Sequence, residues 1–556
     1  MKKKKILLNV LLLISCLSFE LLFCNSLFLK GKSSYVFSFA RLFLYLLLFF
    51  IEYKISNRII KNRLEYEKDK KKINIIDIFL IACFLVGIIV DVFFIIRGKT
   101  NLMSQGIVIT LLCYIAFLYF FYSKNYKLNV ILLCSVCFIY SMVVTPQHAI
   151  DEPTHFASSY NLSKLDYNWS NGYEFDSNLA KITQYKNYYY NESLFVHYDK
   201  KVIDGEKSNH KTYSICKYLY IPSSVGIFIS ELLHGTIMDT FYMGRFFNSL
   251  VTILGIALLL KITNKKKNVY IAIITTPYFL LLGSTYNVDA IGNLAILLFV
   301  SYVLNIYRSK DKYLSKKNVL FISILMLLIV LYKGASYFLI FLLLILIYKK
   351  VPKNKKWIIP LYLIPFLILI YLEMKPEALN TGVTAITGEP NPTEQLKFLF
   401  SSPLVFIKVY GLHFVSCFFT AGYYEGLLGT HFYPFCSTYF TLFYIIYLLY
   451  MGFSSDDDSY SSKTSIIIVI IALLLFFFTS TGLYLGYTGV GRIIIEGYQS
   501  RYMYPIFFLL LLTINNKRIK VLKDKNYDII NYGLVLFLTM AFIFIIVYAN
   551  AYEYWL

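Results

Sequence analysis

Apolar runs about as long as a membrane is thick recur along the chain, separated by short polar loops. A helix crosses the hydrocarbon core of a bilayer with about 20 apolar residues, and inside that core only helices and closed barrels satisfy every backbone hydrogen bond. Charged residues make up 15% of the chain, against about a quarter of a soluble domain. The sequence therefore predicts an all-α integral membrane protein, a polytopic bundle of about 13–15 transmembrane helices.

Lys and Arg stand in short blocks between the apolar runs, as in the loop 52–73. Loops rich in these residues stay on the cytoplasmic side of a membrane. This pattern explains the formal net charge of +22 through loop orientation, so we expect the lipid bilayer as a partner and no nucleic acid. The predicted location is the cell membrane, with several passes and the N-terminus in the cytoplasm.

The loop charges divide the chain into three parts. Four predicted helices form an N-terminal extension at 1–127, a membrane core occupies 128–515, and 516–556 holds a cytoplasmic basic loop and the last helix. The polar stretch 146–218 is expected to be an extracytoplasmic loop of the core. The spans expected in the core are 128–145, 243–262, 269–285, 289–307, 317–332, 334–348, 357–373, 437–452, 465–485 and a short one ending near Ile514.

Two further segments, 219–237 and 403–420, are apolar enough to be considered as spans. If either crossed the membrane, the basic loop that follows it would lie on the outer side, against the positive-inside rule. We therefore predict that both lie along the outer surface or re-enter it.

Ionisable side chains cluster where predicted spans meet the outer boundary. Asp151, Glu152 and His155 follow the span 128–145 directly. Charged groups at such depth are costly and usually functional. Since the loop charges set the topology, the arrival of these groups on one face predicts one site. Other side chains expected on the same face are Arg245, Asp289, Lys333, Glu425, Gln499, Arg501 and Tyr502.

This combination suits a substrate with an anionic head and an apolar tail. Arginine and lysine hold phosphate, and a carboxylate can take a proton from a hydroxyl. Neighbouring residues of an extended chain point in opposite directions, so only one of Asp151 and Glu152 is expected to be the base. Pro153 biases Glu152 away from helix. The acids and His155 are also candidate ligands of a divalent cation, Mg or Mn.

Several of these residues have simpler interpretations. Asp289 could cap the helix that begins near Ala290. Arg245 and Arg501 could be anchors whose charged ends reach the membrane interface. Lys333 could be an ordinary turn lysine.

Four motifs occur in order along the chain: Asp151-Glu152-Pro153-x-His155-Phe156, Gly244-Arg245-x-x-Asn248, Pro277 with Tyr286-x-x-Asp289-Ala290, and Gln499-x-Arg501-Tyr502-x-x-Pro505. Together they resemble an uncharacterised family of bacterial polytopic membrane proteins, from about residue 128 to 515. Ser500 stands where the family pattern has glycine. That family is similar in layout to the GT-C glycosyltransferases, which use lipid-phosphate-linked sugars and hold an essential carboxylate in the first external loop.

The resemblance implies a GT-C-like membrane glycosyltransferase, inverting, with an extracytoplasmic active site. Its donor would be a polyprenyl-phosphate sugar and its acceptor a cell-envelope polysaccharide or glycolipid. Asp151 is the expected base, supported by Glu152 and His155. The alternatives are a flippase or transporter of lipid-linked glycans, and a polysaccharide polymerase or ligase. The side chains expected at the donor phosphate and substrate are Arg245, Asp289, Lys333, Gln499, Arg501 and Tyr502.

Overall fold

The computed structural model describes the central part of the chain. The predicted spans before residue 128, the last predicted span and most of the loop 146–218 lie outside the described residues. The described ranges are 151–165, 216–235, 237–356, 358–373, 390–420, 438–453 and 460–514, together with six single positions between 130 and 149.

Within these ranges the protein is built from helices, and no strand occurs. The α-helices, in chain order, are α1 (Glu152–Ser163), α2 (Ile221–Leu232), α3 (Ile237–Ile262), α4 (Lys267–Ile274), α5 (Pro277–Ser284), α6 (Asp289–Arg308), α7 (Lys316–Tyr337), α8 (Ile358–Glu373), α9 (Pro392–Leu399), α10 (Pro403–Phe419), α11 (Thr438–Phe453), α12 (Ser462–Gly486) and α13 (Tyr504–Thr513). The 3-10 helices are Cys216–Tyr220, Phe338–Lys350, Lys353–Lys355 and Ser500–Met503.

Three described helices are long and apolar enough to cross a membrane: Asp239–Ile262 within α3, Asp289–Arg308 and Ser462–Gly486. They coincide with the predicted spans 243–262, 289–307 and 465–485. The described part of the chain thus confirms an all-α membrane protein.

The predicted span 269–285 is wrong as a single helix. The chain forms two eight-residue helices, α4 and α5, separated at Thr275 and Thr276. Pro277 has no backbone N–H to continue α4, and the Thr276 hydroxyl caps α5 by accepting a hydrogen bond from Phe279 N at 3.3 Å. Both helices are largely buried inside the protein. Hydropathy alone does not distinguish such an internal segment from a lipid-facing span.

The two segments that were predicted not to cross are indeed short or bent. Helix α2 has 12 residues, about 18 Å of helix against a hydrocarbon core of about 30 Å. It lies along α3 so closely that a Cβ added at Gly226 would come within 2.3 Å of Met243 O. Helices α9 and α10 meet at an angle of 105°, the geometry of a broken span or a re-entrant loop.

Helix α6 is the buried centre of the described fold, and its N-terminal end positions the site. It packs against α3, α5, α7 and α13. Gly292 makes the approach of α7 possible, because a Cβ there would lie 2.1 Å from the ring of Tyr332. The next residue, Lys333, has non-helical φ and ψ of −156° and 63° and kinks α7 where a turn at Lys333-Gly334 was predicted. This kink brings Lys333 beside Asp289, the first residue of α6.

Candidate functional site

The backbone at the start of α1 sends two neighbouring carboxylates to different places. Asp151 has φ 55° and ψ 15°, a left-handed conformation that Asp tolerates better than most residues. The helix begins at Glu152, with Pro153 in the first turn, where a missing N–H costs nothing. The expectation that Pro153 would hold Glu152 out of a helix is therefore wrong.

Glu152 is buried in a bidentate ion pair with Arg245. Arg245 Nε and Nη2 donate to the two Glu152 oxygens at 2.8 Å and 2.6 Å. Glu152 Oε1 also accepts from Tyr286 N at 3.1 Å, and Arg245 Nη1 donates to Ser141 O at 3.0 Å. Both charged side chains are 0% exposed. We call this arrangement the inner pair; it ties α1, α3 and the α5–α6 connection together.

The inner pair involves two residues for which other contacts were expected. Arg245 was predicted at the donor phosphate and Glu152 beside the catalytic base. In the structure they are bound to each other away from solvent, so each satisfies the other's charge in the protein interior. The pair connects the helices that carry the site.

Four other predicted residues form a second ionic cluster, which we call the outer cluster: Asp151, Asp289, Lys333 and Arg501. Lys333 Nζ donates to Asp289 Oδ1 at 2.7 Å. Arg501 Nε lies 3.2 Å from Asp289 Oδ2, and Arg501 Nη2 donates to Asp151 Oδ2 at 2.9 Å. Two carboxylates and two cations from four separate parts of the chain thus meet at one place.

Exposure varies systematically across the outer cluster. The side chain of Asp151 is 41% exposed and that of Lys333 is 24% exposed, whereas Arg501 and Asp289 are 6% and 2% exposed. Asp151 and Lys333 therefore form the accessible rim, and Arg501 and Asp289 form the floor. A molecule arriving from outside meets Asp151 first.

Two buried atoms of Arg501, Nε and Nη1, have no hydrogen-bond partner within the described part of the chain, although Nε lies 3.2 Å from Asp289 Oδ2. Gln499 Oε1, two residues before Arg501, is also buried without a partner among the described residues. Buried polar atoms are almost always paired, so each such atom needs an explanation. Tyr502 borders the same region, with Lys333 Nζ 4.3 Å from its ring centroid. The floor of the cluster thus retains a guanidinium donor, Arg501 Nη1, that no described residue accepts.

Asp289 is not the helix cap that its position allowed. Val288 is the N-cap of α6, and Asn287 Oδ1 accepts a hydrogen bond from Asp289 N at 2.6 Å. The Asp289 carboxylate is used by the outer cluster, where Tyr332 OH also donates to Oδ1 at 2.7 Å. Its charge at the start of α6 is additionally favoured by the helix dipole.

His155 lies beneath the outer cluster on α1, in a buried contact of 2.5 Å between Nδ1 and Tyr220 OH. Helix α1 is not among the candidate spans. Burial lowers the pKa of His155 to about 4, so the ring is neutral at neutral pH. His155 supports α1 through Tyr220 and does not add a charge to the cluster.

The residues do not fit the predicted divalent cation. Among the described residues, no group of three or more His, Cys, Asp or Glu side chains could hold a metal ion. The reason is geometric: Glu152 turns inward to Arg245, while Asp151 turns outward to Arg501. The three proposed ligands therefore do not converge.

Sequence reasoning missed Tyr332 and Tyr220, which bind Asp289 and His155. Tyr332 ends the predicted span 317–332, directly before Lys333, so its position was a usable signal. Tyr220 gave no such signal, because it approaches from a separate segment. Glu425, predicted on the same face, lies outside the described residues.

The fold and the site define a class: a polytopic helical membrane protein with an ionic cluster assembled at the ends of its helices. Within that class, the chain belongs to the family described as Predicted membrane protein (DUF2142), whose model matches residues 132–510. The match covers more than half of the chain and includes both ionic arrangements. No curated protein and no solved structure matches the chain.

Proposed function

We propose that this protein is a GT-C-like membrane glycosyltransferase, moving a sugar from a polyprenyl-phosphate donor to a cell-envelope polysaccharide or glycolipid on the outer face. The observation that supports it most is Asp151. This accessible carboxylate is held in a left-handed backbone conformation, 2.9 Å from a buried arginine. Unusual backbone conformations of this kind cluster at active sites.

In the proposed reaction, Asp151 takes the proton from the acceptor hydroxyl as its oxygen attacks the anomeric carbon. The bond from that carbon to the donor phosphate breaks, and inversion follows because the two groups lie on opposite faces of the sugar. A carboxylate positioned in this way contributes about 10²–10⁴-fold to the rate.

Arg501 and Lys333 would bind the departing phosphate. Arginine suits phosphate because its donors form a planar fork, and Arg501 Nη1 has no hydrogen-bond partner among the described residues. Asp289 contacts both cations and is assigned a positioning role. When phosphate takes the Arg501 contact, Asp151 is released to act as the base.

The test is Asp151→Asn, assayed in membranes with a radiolabelled lipid-linked sugar. Asn removes the base but tolerates the left-handed backbone, so we expect normal protein levels and a loss of transfer of about 10²-fold or more. Asp311→Asn, an exposed acid beyond the other end of α6, is the matched control. Undiminished transfer by Asp151→Asn would remove the base assignment.

Transport of a lipid-linked glycan is the second candidate. Transporter sites are built on discontinuous helices, and α7 is kinked at Lys333 beside the cluster. Sugar transfer in detergent, without any ion gradient, supports the enzyme. Movement of lipid-linked glycan across proteoliposomes without transfer supports the transporter. A requirement for a diphosphate rather than a monophosphate donor would instead indicate a polymerase or ligase.

A further inference from the structure

A second feature lies at the other end of the same helices, where the basic loops are. A cleft of about 710 Å³ opens among α7, the 3-10 helix Phe338–Lys350 and α8. This volume falls in the usual range of ligand sites, about 300–1,000 Å³. Lys316 and Lys333 stand 17 residues apart on α7, so the cleft mouth at Lys316 lies about 25 Å from the outer cluster. The cleft is therefore separate from the site described above.

The wall of the cleft is apolar. It is formed largely by aliphatic side chains, among them Val319, Leu344 and Ile345. Two polar groups in the wall satisfy each other, since Ser323 Oγ and Tyr362 OH are hydrogen-bonded at 2.8 Å. Such a wall offers contacts to hydrocarbon and few to a polar ligand.

The wall continues onto the outside of the helices. Leu320 and Ile345, which line the cleft, are 63% and 65% exposed. In a membrane protein, exposed apolar residues of this kind are suited to contact with the acyl chains of the bilayer.

The mouth of the cleft is positively charged. Lys316 and Lys355 line it. Lys317 and Lys353 are exposed neighbours in sequence. The chain segments 312–323 and 341–363 that form the cleft contain no Asp or Glu. Among the ion pairs of the described residues, none involves these four lysines. The mouth thus presents lysines that form no ion pair among the described residues.

We propose that this cleft binds an anionic membrane phospholipid, with an acyl chain along the apolar wall and the headgroup phosphate between Lys316 and Lys355. Basic pockets between membrane helices on the cytoplasmic side are suited to anionic headgroups, and each lysine contributes about 1 kcal/mol near such a surface. The bound lipid holds α7 and α8 together at the end of α7 away from Lys333. This proposal does not depend on the glycosyltransferase assignment.

The experiment is native mass spectrometry of the full chain in detergent, titrated with phosphatidylglycerol or phosphatidylcholine of identical acyl chains. We expect phosphatidylglycerol to bind more tightly. The Lys316→Ala/Lys355→Ala variant should weaken its binding about 30-fold and remove most of the preference. The matched control is Lys310→Ala/Lys463→Ala, which removes two exposed lysines outside the cleft and should leave binding unchanged.

A second variant tests the acyl chain. Ile345→Trp places a large side chain in the cleft and should weaken both lipids, while glycerol 3-phosphate, which has the headgroup charge but no tail, should not bind. Four results would overturn the proposal: equal affinity for the two lipids, unchanged binding by the double lysine variant, binding by Ile345→Trp equal to the parent, or no lipid binding at all. Melting of the parent protein with and without phosphatidylglycerol shows separately whether the lipid stabilises the fold.

Discussion

Asp151 and Glu152 are neighbours in sequence, yet the outer cluster and the inner pair to which they belong lie in different surroundings. Glu152 and Arg245 are fully buried, and four hydrogen bonds match the donors and acceptors described around them. Asp151 sits at an accessible rim, and its partner Arg501 lies in the floor beneath it and retains polar atoms without a hydrogen-bond partner among the described residues. A closed pair fixes the structure, whereas an open one can exchange a protein partner for a ligand. The difference therefore separates a structural carboxylate from a candidate catalytic one.

The largest effect should come from breaking the inner pair. Arg245→Ala leaves a buried Glu152 charge without its partner, which costs about 3–5 kcal/mol. We expect loss of folded protein, measured by size-exclusion chromatography of a fluorescent fusion. Lys164→Ala is the matched control; it breaks the exposed Lys164–Glu231 pair and should cost less than about 1 kcal/mol. Recovery of folded protein in Glu152→Leu/Arg245→Met would support the structural role, and wild-type stability of Arg245→Ala would contradict it.

Acid should destabilise the protein through His155. Its pKa is about 4 in the folded chain against an ordinary value of 6.5, so between these values the unfolded chain binds more protons. Stability is therefore fully present above pH 6.5 and falls as the pH drops to about 4, by about 3 kcal/mol in total from this group. Thermal melts across this range should show a shallower decline in His155→Gln. An identical pH dependence in the variant would exclude His155 as the source.

A smaller loss of stability is expected when Asp289, in the floor of the outer cluster, is substituted. Asp289→Asn removes the negative charge shared by Lys333 and Arg501 but keeps an oxygen that can accept one hydrogen bond, at a cost of about 2 kcal/mol. Because Lys333 is partly exposed, water can replace part of the lost interaction. The melting temperature measures the stability lost in Asp289→Asn, and Asp311→Asn, at an exposed acid, is the control. Destabilisation as severe as that of Arg245→Ala would mean that the two arrangements do not differ as described.

The smallest change in stability should follow substitution of Asp151. Its 41% exposure limits the ion pair with Arg501 to about 1 kcal/mol or less. Asn and Gly both tolerate the φ of 55° at position 151, whereas Ala there adds a backbone cost of about 1 kcal/mol. We therefore expect Asp151→Ala to melt at a lower temperature than Asp151→Asn and Asp151→Gly. The reverse order would show that the carboxylate, rather than the backbone conformation, dominates stability at this position.

Much of the fold followed from local sequence properties. The spans at 243–262, 289–307 and 465–485 were predicted because apolar length is a local quantity, and α3, α6 and α12 confirm them. The break inside 269–285 was missed, although Pro277 was visible, because apolar residues packed against protein look the same in sequence as those facing lipid. Asp151, Asp289, Lys333 and Arg501 were expected on one face from the loop charges, and their side chains meet in the outer cluster.

The sequence by itself determined the class of protein, several membrane helices and the set of residues from which a site could be built, because hydropathy and loop charge act over short stretches. Only the tertiary structure decided the partners. Glu152 meets Arg245 across 93 residues, and Asp151 meets Arg501 across 350. Those contacts depend on a left-handed residue at the start of α1 and on helices packed around α6, so no local pattern could show which of two neighbouring acids remains accessible.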